Sequence, residues 1–483
     1  MRHLQHLTSH RLKALFTPIA LGYAAFFALL LFSVLFYLER ACYADIAFQI
    51  FEIINSKNVA YQLDRFGTAL IQIFPLAAVL LELPLKYVLL TYSVALVAQN
   101  LFFFWLLHKF FRQKEIALVL ALFCVLMVTE TFYWATNEIK QGFSFSILLA
   151  GIIGALPLEN FKGIRKFSLM LFYLLLIIIT VFLHPLVVVA VLFVLGYTAI
   201  HAKKFFSQTA LWGLCCVAII LSVKYFFLPV APYDAEQLSL RENFVAFFPN
   251  YMSMPSFEKF LDYCINDWYL YAIILVGVIG FYVWNRQWLK LGWLSAFSLG
   301  YLLLVNVTHP NSEKVFIECY YQALAVFVLF PFVIELLPVL PVRYILLIVT
   351  TIFFLRINTI YHTHHKYSKR LTHIQKTLAT FMGKFVIPIE SFPMHKEMMT
   401  WGIPYESAML SSAQSPDSCR SFAVLRDVSK VNEKESEKIF YTVFDVADYA
   451  NLNPVYFRPA TGSYRILTET EIAQLHLSDR QKH

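Results

Sequence analysis

Five sets of polar residues interrupt an otherwise apolar chain, and their types could move a proton and hold an anion. Asp45, in Tyr43-Ala44-Asp45-Ile46-Ala47, and Asp64, beside Arg65, follow the first apolar run. Glu138 and Lys140 stand together within the stretch Trp134–Gln141, and His184 precedes Pro185. The densest set runs from Thr308 to Gln322 and holds His309, Glu313, Lys314, Glu318, Tyr320 and Tyr321. A carboxylate in apolar surroundings can take a proton from a hydroxyl. Arginine, lysine and histidine can stabilise negative charge as it develops. Each set also has a plainer reading. Asp45 could be an ordinary loop acid, Glu138 and Lys140 an interfacial pair, and His184 the end of a helix. Glu318 is hardest to set aside. It falls about one turn inside an apolar run, where ionisable groups are costly and are usually paired, cavity-facing or functional.

The elements that must position these residues are membrane spans. The chain is 59% hydrophobic and 14% charged, with a mean hydropathy of +0.62. A soluble domain cannot carry that much apolar surface. The net charge of +8 comes from short basic clusters between apolar runs, the pattern of cytoplasmic loops rather than of a nucleic-acid surface. No glycine-rich phosphate loop and no zinc-type cysteine pairing is present. Among the scattered cysteines, a disulfide between members of Cys42, Cys264 and Cys419 is left open. The first apolar run, Ile19–Leu38, follows a basic start, is long enough to span, and reads as an uncleaved first span.

Placing the basic clusters in the cytoplasm predicts eleven spans and an all-α polytopic bundle. After the first come Tyr87–Leu107, Ile116–Phe132, Phe143–Leu156 and Phe167–Leu183, then a sixth ending at His201, a seventh near Pro229 and an eighth near Asn285. Leu289–Val307, Val315–Leu337 and Val342–Ile360 complete the set. Leu70–Leu83 is apolar but short and contains Pro75, so it reads as a helix lying on the outer membrane face. Residues 1–361 form the membrane domain, with an outer loop over 39–85. From His362 the composition turns polar, and 362–483 reads as a small α/β domain outside the cytoplasm. On this path every polar set falls on the outer side of a cytoplasmic membrane. The run His362-Thr363-His364-His365 fits no standard metal spacing and reads as a solvated junction.

The segment Tyr43-Ala44-Asp45-Ile46-Ala47 resembles the acidic motif in the first outer loop of GT-C glycosyltransferases, which include protein mannosyltransferases and aminoarabinose transferases. The order of loop, short apolar helix, span, basic turn 108–114, span and outer turn Glu138-Ile139-Lys140 is similar as well. Glu313-Lys314 with Tyr320-Tyr321 resembles that family's late outer loop, which faces the lipid phosphate. The resemblance implies transfer of a sugar from a polyprenyl-phosphate donor to an acceptor, with Asp45 or Asp64 as catalytic base. Many members carry an Asp-Glu pair where this chain has Ala41-Cys42, so both acids stay open. Arg65, Glu138, Lys140, His184, His309, Glu313, Lys314, Glu318, Tyr320 and Tyr321 would bind substrate. The implied partners are the lipid-linked donor and membrane lipid, not nucleic acid. No cofactor is implied, and the metal requirement and the acceptor are left open. Two other classes fit the same composition: a polysaccharide polymerase or ligase, and a transporter or flippase of a lipid-linked or polar solute.

Overall fold

The computed structural model describes residues 16–61, 65–135, 137–203, 207–227, 235–236, 239–310, 314–392, 399–431, 437–442 and 446–472. Asp64 and Glu313, both expected at the site, lie outside the described residues, as does the side chain of Lys314. The described chain is a bundle of apolar helices carrying a small α/β unit. The helices are α1 (Phe16–Leu35), α2 (Ala44–Ser56), α3 (Ala69–Leu80), α4 (Leu85–Trp105), α5 (Lys114–Phe123), α6 (Glu138–Ala155), α7 (Gly163–Val181) and α8 (Val187–His201). They continue as α9 (Gln208–Ser222), α10 (Pro255–Asn266), α11 (Tyr269–Trp284), α12 (Trp288–Thr308), α13 (Lys314–Pro331), α14 (Val342–Thr380) and α15 (Ile403–Ser412).

Eight helices are long and apolar enough to cross a membrane, or nine if α10 and α11, bent by 90°, count as one span. The chain is therefore a multi-pass helical membrane protein. The expected short helix over Leu70–Leu83 forms as α3, which stays short. The expected third span over Ile116–Phe132 forms as a helix only in part. Regular α-helix stops at Phe123, and the chain runs on through turns and a 3₁₀ turn at Glu130–Phe132. This irregular stretch is buried throughout. Backbone polar groups in such a place must find partners inside the protein.

Charged side chains supply those partners. The Glu318 carboxylate accepts from the backbone N–H of Thr129 (2.7 Å), Glu130 (3.1 Å) and Thr131 (2.9 Å) and from both threonine hydroxyls. Arg356 donates to the carbonyls of Val125 (3.3 Å) and Val128 (2.9 Å), and Arg40 donates to Phe132 O and to Ser93. One acid and two arginines, brought from α13, α14 and the short helical segment Tyr37–Ala41 after α1, thus replace the hydrogen bonds that a longer helix would have made for itself.

α14 explains how the bundle meets the polar tail. At 39 residues it is about 58 Å long, nearly twice the hydrocarbon thickness of about 30 Å. It runs through the expected boundary at 361/362 without a break. Its polar second half carries Tyr367 and Arg370 to the α/β unit. There β1 (Lys384–Pro388) is the centre of a parallel three-stranded sheet, between β2 (Phe422–Leu425) and β5 (Tyr464–Ile466). α15 links β1 to β2, and β3 (Ile439–Tyr441) pairs antiparallel with β4 (Val446–Asp448).

The tail does not stand apart from the bundle. It packs on α2. Phe51 stacks on Phe440 at 5.4 Å and meets Tyr405 at 5.2 Å. Asn453 N–H donates to Asn55 Oδ1 (2.8 Å), and Asn453 Nδ2 donates to Ile54 O (3.0 Å). Ile46, Ala47, Ile50, Ile53 and Ile54 are fully buried as a result.

Removing the Glu318 carboxylate leaves three buried N–H groups unpaired. Glu318→Ala is expected to destabilise the protein by about 3 kcal/mol or more. The check is a fall in the thermal unfolding midpoint in detergent, larger than that of Glu115→Ala at the half-buried start of α5.

A candidate active site around Asp45

α2 begins at an unusual place. Tyr43 is extended and Ala44 has a left-handed φ of 34°, a conformation that costs a non-glycine residue about 1 kcal/mol or more. The surroundings hold it there. Ala44 N–H donates to Glu406 Oε1 at 2.9 Å. Arg370 grips both oxygens of Glu406, with Nε to Oε2 at 2.8 Å and Nη2 to Oε1. The pair is buried, and the Arg370 guanidinium also lies 5.0 Å from the Tyr43 ring centre. Gly402 completes the clamp, because a Cβ there would come within 2.4 Å of Ala44 Cα. Two groups from the tail and one from α14 therefore fix the first turn of α2, where Asp45 sits.

Asp45 lies on the polar stripe of α2. Asp45, Phe48, Glu52 and Asn55 follow at three, four and three residues, which places them on one helical face. That face looks onto two cavities, and Asp45 and Trp401 line both. The first, about 600 Å³, is also lined by Gln49, Arg65, Trp134, Asn137, Glu138, His184, Phe316 and Tyr320. The second, about 710 Å³, lies between α2 and the tail, with Phe48, Glu52, Asn55, Tyr405, Thr442 and Asn451 on its walls.

Electrostatics in the first cavity are mixed. Arg65 and Glu138 form an ion pair whose side chains are 11% and 23% exposed. The Asp45 carboxylate accepts no hydrogen bond among the described residues. Burial, then the charge of Glu138, push its pKa up from 3.8 to about 7, against the opposing pull of Arg65. His184 Nδ1 accepts from Leu186 N–H at 3.2 Å, which leaves Nε2 to carry the proton and donate. Burial, then the charges of Arg65, His309 and Lys224, hold His184 well below the usual histidine range. Burial pushes His309 down to about 4, and its ring centre lies 3.9 Å from that of Tyr320. Both imidazoles are neutral at pH 7. Among the described lining residues Arg65 is then the cation of the cavity. Lys224, at the end of the α9 segment, sits over the Phe182 ring at 5.2 Å, and its charge reaches His184.

Of the expected site residues, Asp45, Arg65, Glu138, His184 and Tyr320 come together around one cavity, with the His309 ring packed at a tilt against Tyr320. Three others do not line it. Lys140 is buried inside the bundle near Arg40 and Cys124, around a void of about 10 Å³. Glu318 is saturated by the backbone of 129–131. Tyr321 donates to Asn306 Oδ1 at 2.5 Å and packs on Phe260 at 4.8 Å. Sequence reasoning missed Gln49, Trp134, Asn137, Lys224 and Trp401. The spacing of Gln49 from Asp45 along α2 was the one local signal for any of them. Among the described residues no group of three or more His, Cys, Asp or Glu side chains could hold a metal ion. No family model, curated protein or solved structure matches the chain.

Two measurements check this geometry. Gly402→Ala drives a methyl into the Ala44 backbone and is expected to cost about 1–3 kcal/mol, seen as a lowered unfolding midpoint. Asp45→Asn acts in the opposite sense. The folded protein binds the Asp45 proton more tightly than the unfolded chain, so stability falls as pH rises from about 4 to about 7 and the full cost persists above that. Asp45→Asn should therefore stabilise the protein at pH 8 by on the order of 1–2 kcal/mol after solvent screening, with no such gain at pH 4.

Proposed function

We propose that the protein is a membrane glycosyltransferase that moves a sugar from a polyprenyl-phosphate donor to a hydroxyl acceptor. The observation that carries this reading is one acid, without a hydrogen-bond partner among the described residues, shared by two cavities. An acid with a pKa near 7 suits a general base at neutral pH. The first cavity offers what a departing phosphate needs: the Arg65 guanidinium, the N–H donor of His184, and Lys224 beside it. Lys224 belongs to a segment whose Phe226 and Phe227 are 83% and 79% exposed, an apolar boundary along which a prenyl chain can lie.

In the reaction the acceptor oxygen bonds to the anomeric carbon as the bond from that carbon to the phosphate oxygen breaks. The electron pair leaves with the polyprenyl phosphate, and the hydroxyl proton passes to Asp45. Glu138 holds Arg65 in place and tunes Asp45 through its charge. Arg65 steadies the phosphate as it gains charge. Two-cavity access lets donor and acceptor reach Asp45 from different sides, the arrangement that proximity catalysis requires.

This reading also fixes an orientation. The cavities face away from the cytoplasm, and the basic clusters 108–114, 162–166 and 201–204 face it. Eleven crossings follow if α5, α8 and α11 cross together with the eight long helices. The resemblance of the Asp45 segment to the first-loop motif of GT-C enzymes points the same way.

Transfer from a radiolabelled polyprenyl-phosphate sugar in proteoliposomes tests the proposal. Asp45→Asn is expected to lower kcat by about 100-fold or more, and full activity in that variant would sink the idea. With Asp45 as base, the rate rises with pH through a midpoint near 7. Glu138→Gln removes a nearby negative charge and should move that midpoint down, whereas Arg65→Met should move it up. An unmoved midpoint in both would remove Asp45 from the role.

A further inference from the structure

The second cavity has a chemistry of its own. Carboxylates stand on its α2 wall at Asp45 and Glu52, and the amide of Asn55 lies a turn further on. Hydroxyl and amide groups from Ser56, Thr442 and Asn451 face them, and Phe48, Trp401 and Tyr405 supply aromatic surface. Among its described lining residues there is no lysine, arginine or histidine. Among the described lining residues an anionic occupant would meet two carboxylates and no cation, so it is disfavoured. An occupant rich in hydroxyl groups is favoured, because carboxylates and amide oxygens accept from hydroxyls and aromatic rings cover apolar C–H faces.

Asn55 adds an independent pointer. Its Oδ1 is used by Asn453 N–H, at 2.8 Å. Its Nδ2 is buried and has no hydrogen-bond partner among the described residues. A buried donor left unpaired costs about 1–3 kcal/mol, so a small turn of the Asn55 amide toward an acceptor oxygen in the cavity is favoured. The volume of about 710 Å³ falls within the range of small-molecule sites, roughly 300–1,000 Å³.

We propose that this cavity binds an uncharged saccharide, with one sugar ring against Trp401 and its hydroxyls on Glu52 and Asn55, and that this saccharide is the acceptor. The assignment as acceptor rests on the glycosyl-transfer reading, while the binding does not. Trp401 then has two duties. It forms the wall between the cavities, and it orients the acceptor ring so that one hydroxyl points at Asp45.

The experiment measures binding to the full-length protein in nanodiscs by saturation-transfer NMR and tryptophan fluorescence. The probes are methyl glycosides of neutral hexoses, the matching methyl uronates, and a serine/threonine peptide. Neutral glycosides should bind. Trp401→Ala should weaken binding about 3- to 10-fold, from the loss of one aromatic face, and Trp401→Phe should retain most of it. Glu52→Gln should weaken the neutral glycosides and improve the uronates. Uronates binding as well as glycosides, binding of the peptide instead, or no glycoside binding to the wild-type protein would each overturn the proposal. Should Trp401→Ala fail to fold, Trp401→Phe, Glu52→Gln and the wild-type probe series still decide it. Glycoside binding without transfer from any polyprenyl-phosphate sugar refutes the reaction but not the site. Transfer to a peptide without glycoside binding refutes the site but not the reaction.

Discussion

The buried pair of Arg370 and Glu406, with the N–H of Ala44 as its third member, is the interaction on which the rest of the structure depends. A buried ion pair is seldom a net gain in stability, since both charges lose water. Its value here is positional. Glu406 comes from the tail, Arg370 from the last long helix, and Ala44 from the segment just after the first span. Three parts of the chain meet at one carboxylate, Ala44 lying 362 residues before Glu406 and Arg370 only 36 before it. Without that meeting, Ala44 has no reason to stay in a left-handed conformation, and α2 has no fixed starting angle. With it, Asp45 is held at the wall between two cavities.

A second constraint works within the bundle. The chain from Cys124 to Trp134 is buried without being regular α-helix, a state that the apolar interior forbids unless every N–H and C=O is answered. Glu318 answers the N–H groups, while Arg356 and Arg40 answer the carbonyls. The irregular path is useful because it delivers Trp134 and Asn137 to the first cavity, where a straight helix would have carried on through the membrane. The bundle thus uses charge for architecture at one level and, in the proposed reaction, for chemistry at another.

The sequence revealed some of this and concealed the rest for physical reasons. Most spans were legible because apolar runs between basic clusters leave few alternatives. Asp45 was legible because an acid beside a span is conspicuous. The third span was not, since a buried turn and a buried helix share the same apolar composition over 116–132 and differ only in their distant partners. Glu318 was misjudged for the matching reason. Its position inside an apolar run was rightly seen as costly, but the backbone that offsets the cost lies nearly 190 residues away. Trp401 and the clamp were invisible because they depend on the tail folding back onto α2, which no local pattern announces. The boundary at 362 followed a real change in composition, yet one helix continues through it.

That unbroken helix behaves as a lever. Arg356 is its fulcrum, buried in the bundle by carbonyls on two other segments. Arg370 is its working end, about 21 Å further along the axis. A rotation of about 3° at the fulcrum moves that end by about 1 Å, a displacement on the scale that costs catalysts roughly 100-fold in rate. The arginine deep in the bundle and the arginine at the clamp are therefore one mechanical unit, and the stiffness of the rod between them sets how still Asp45 can be held.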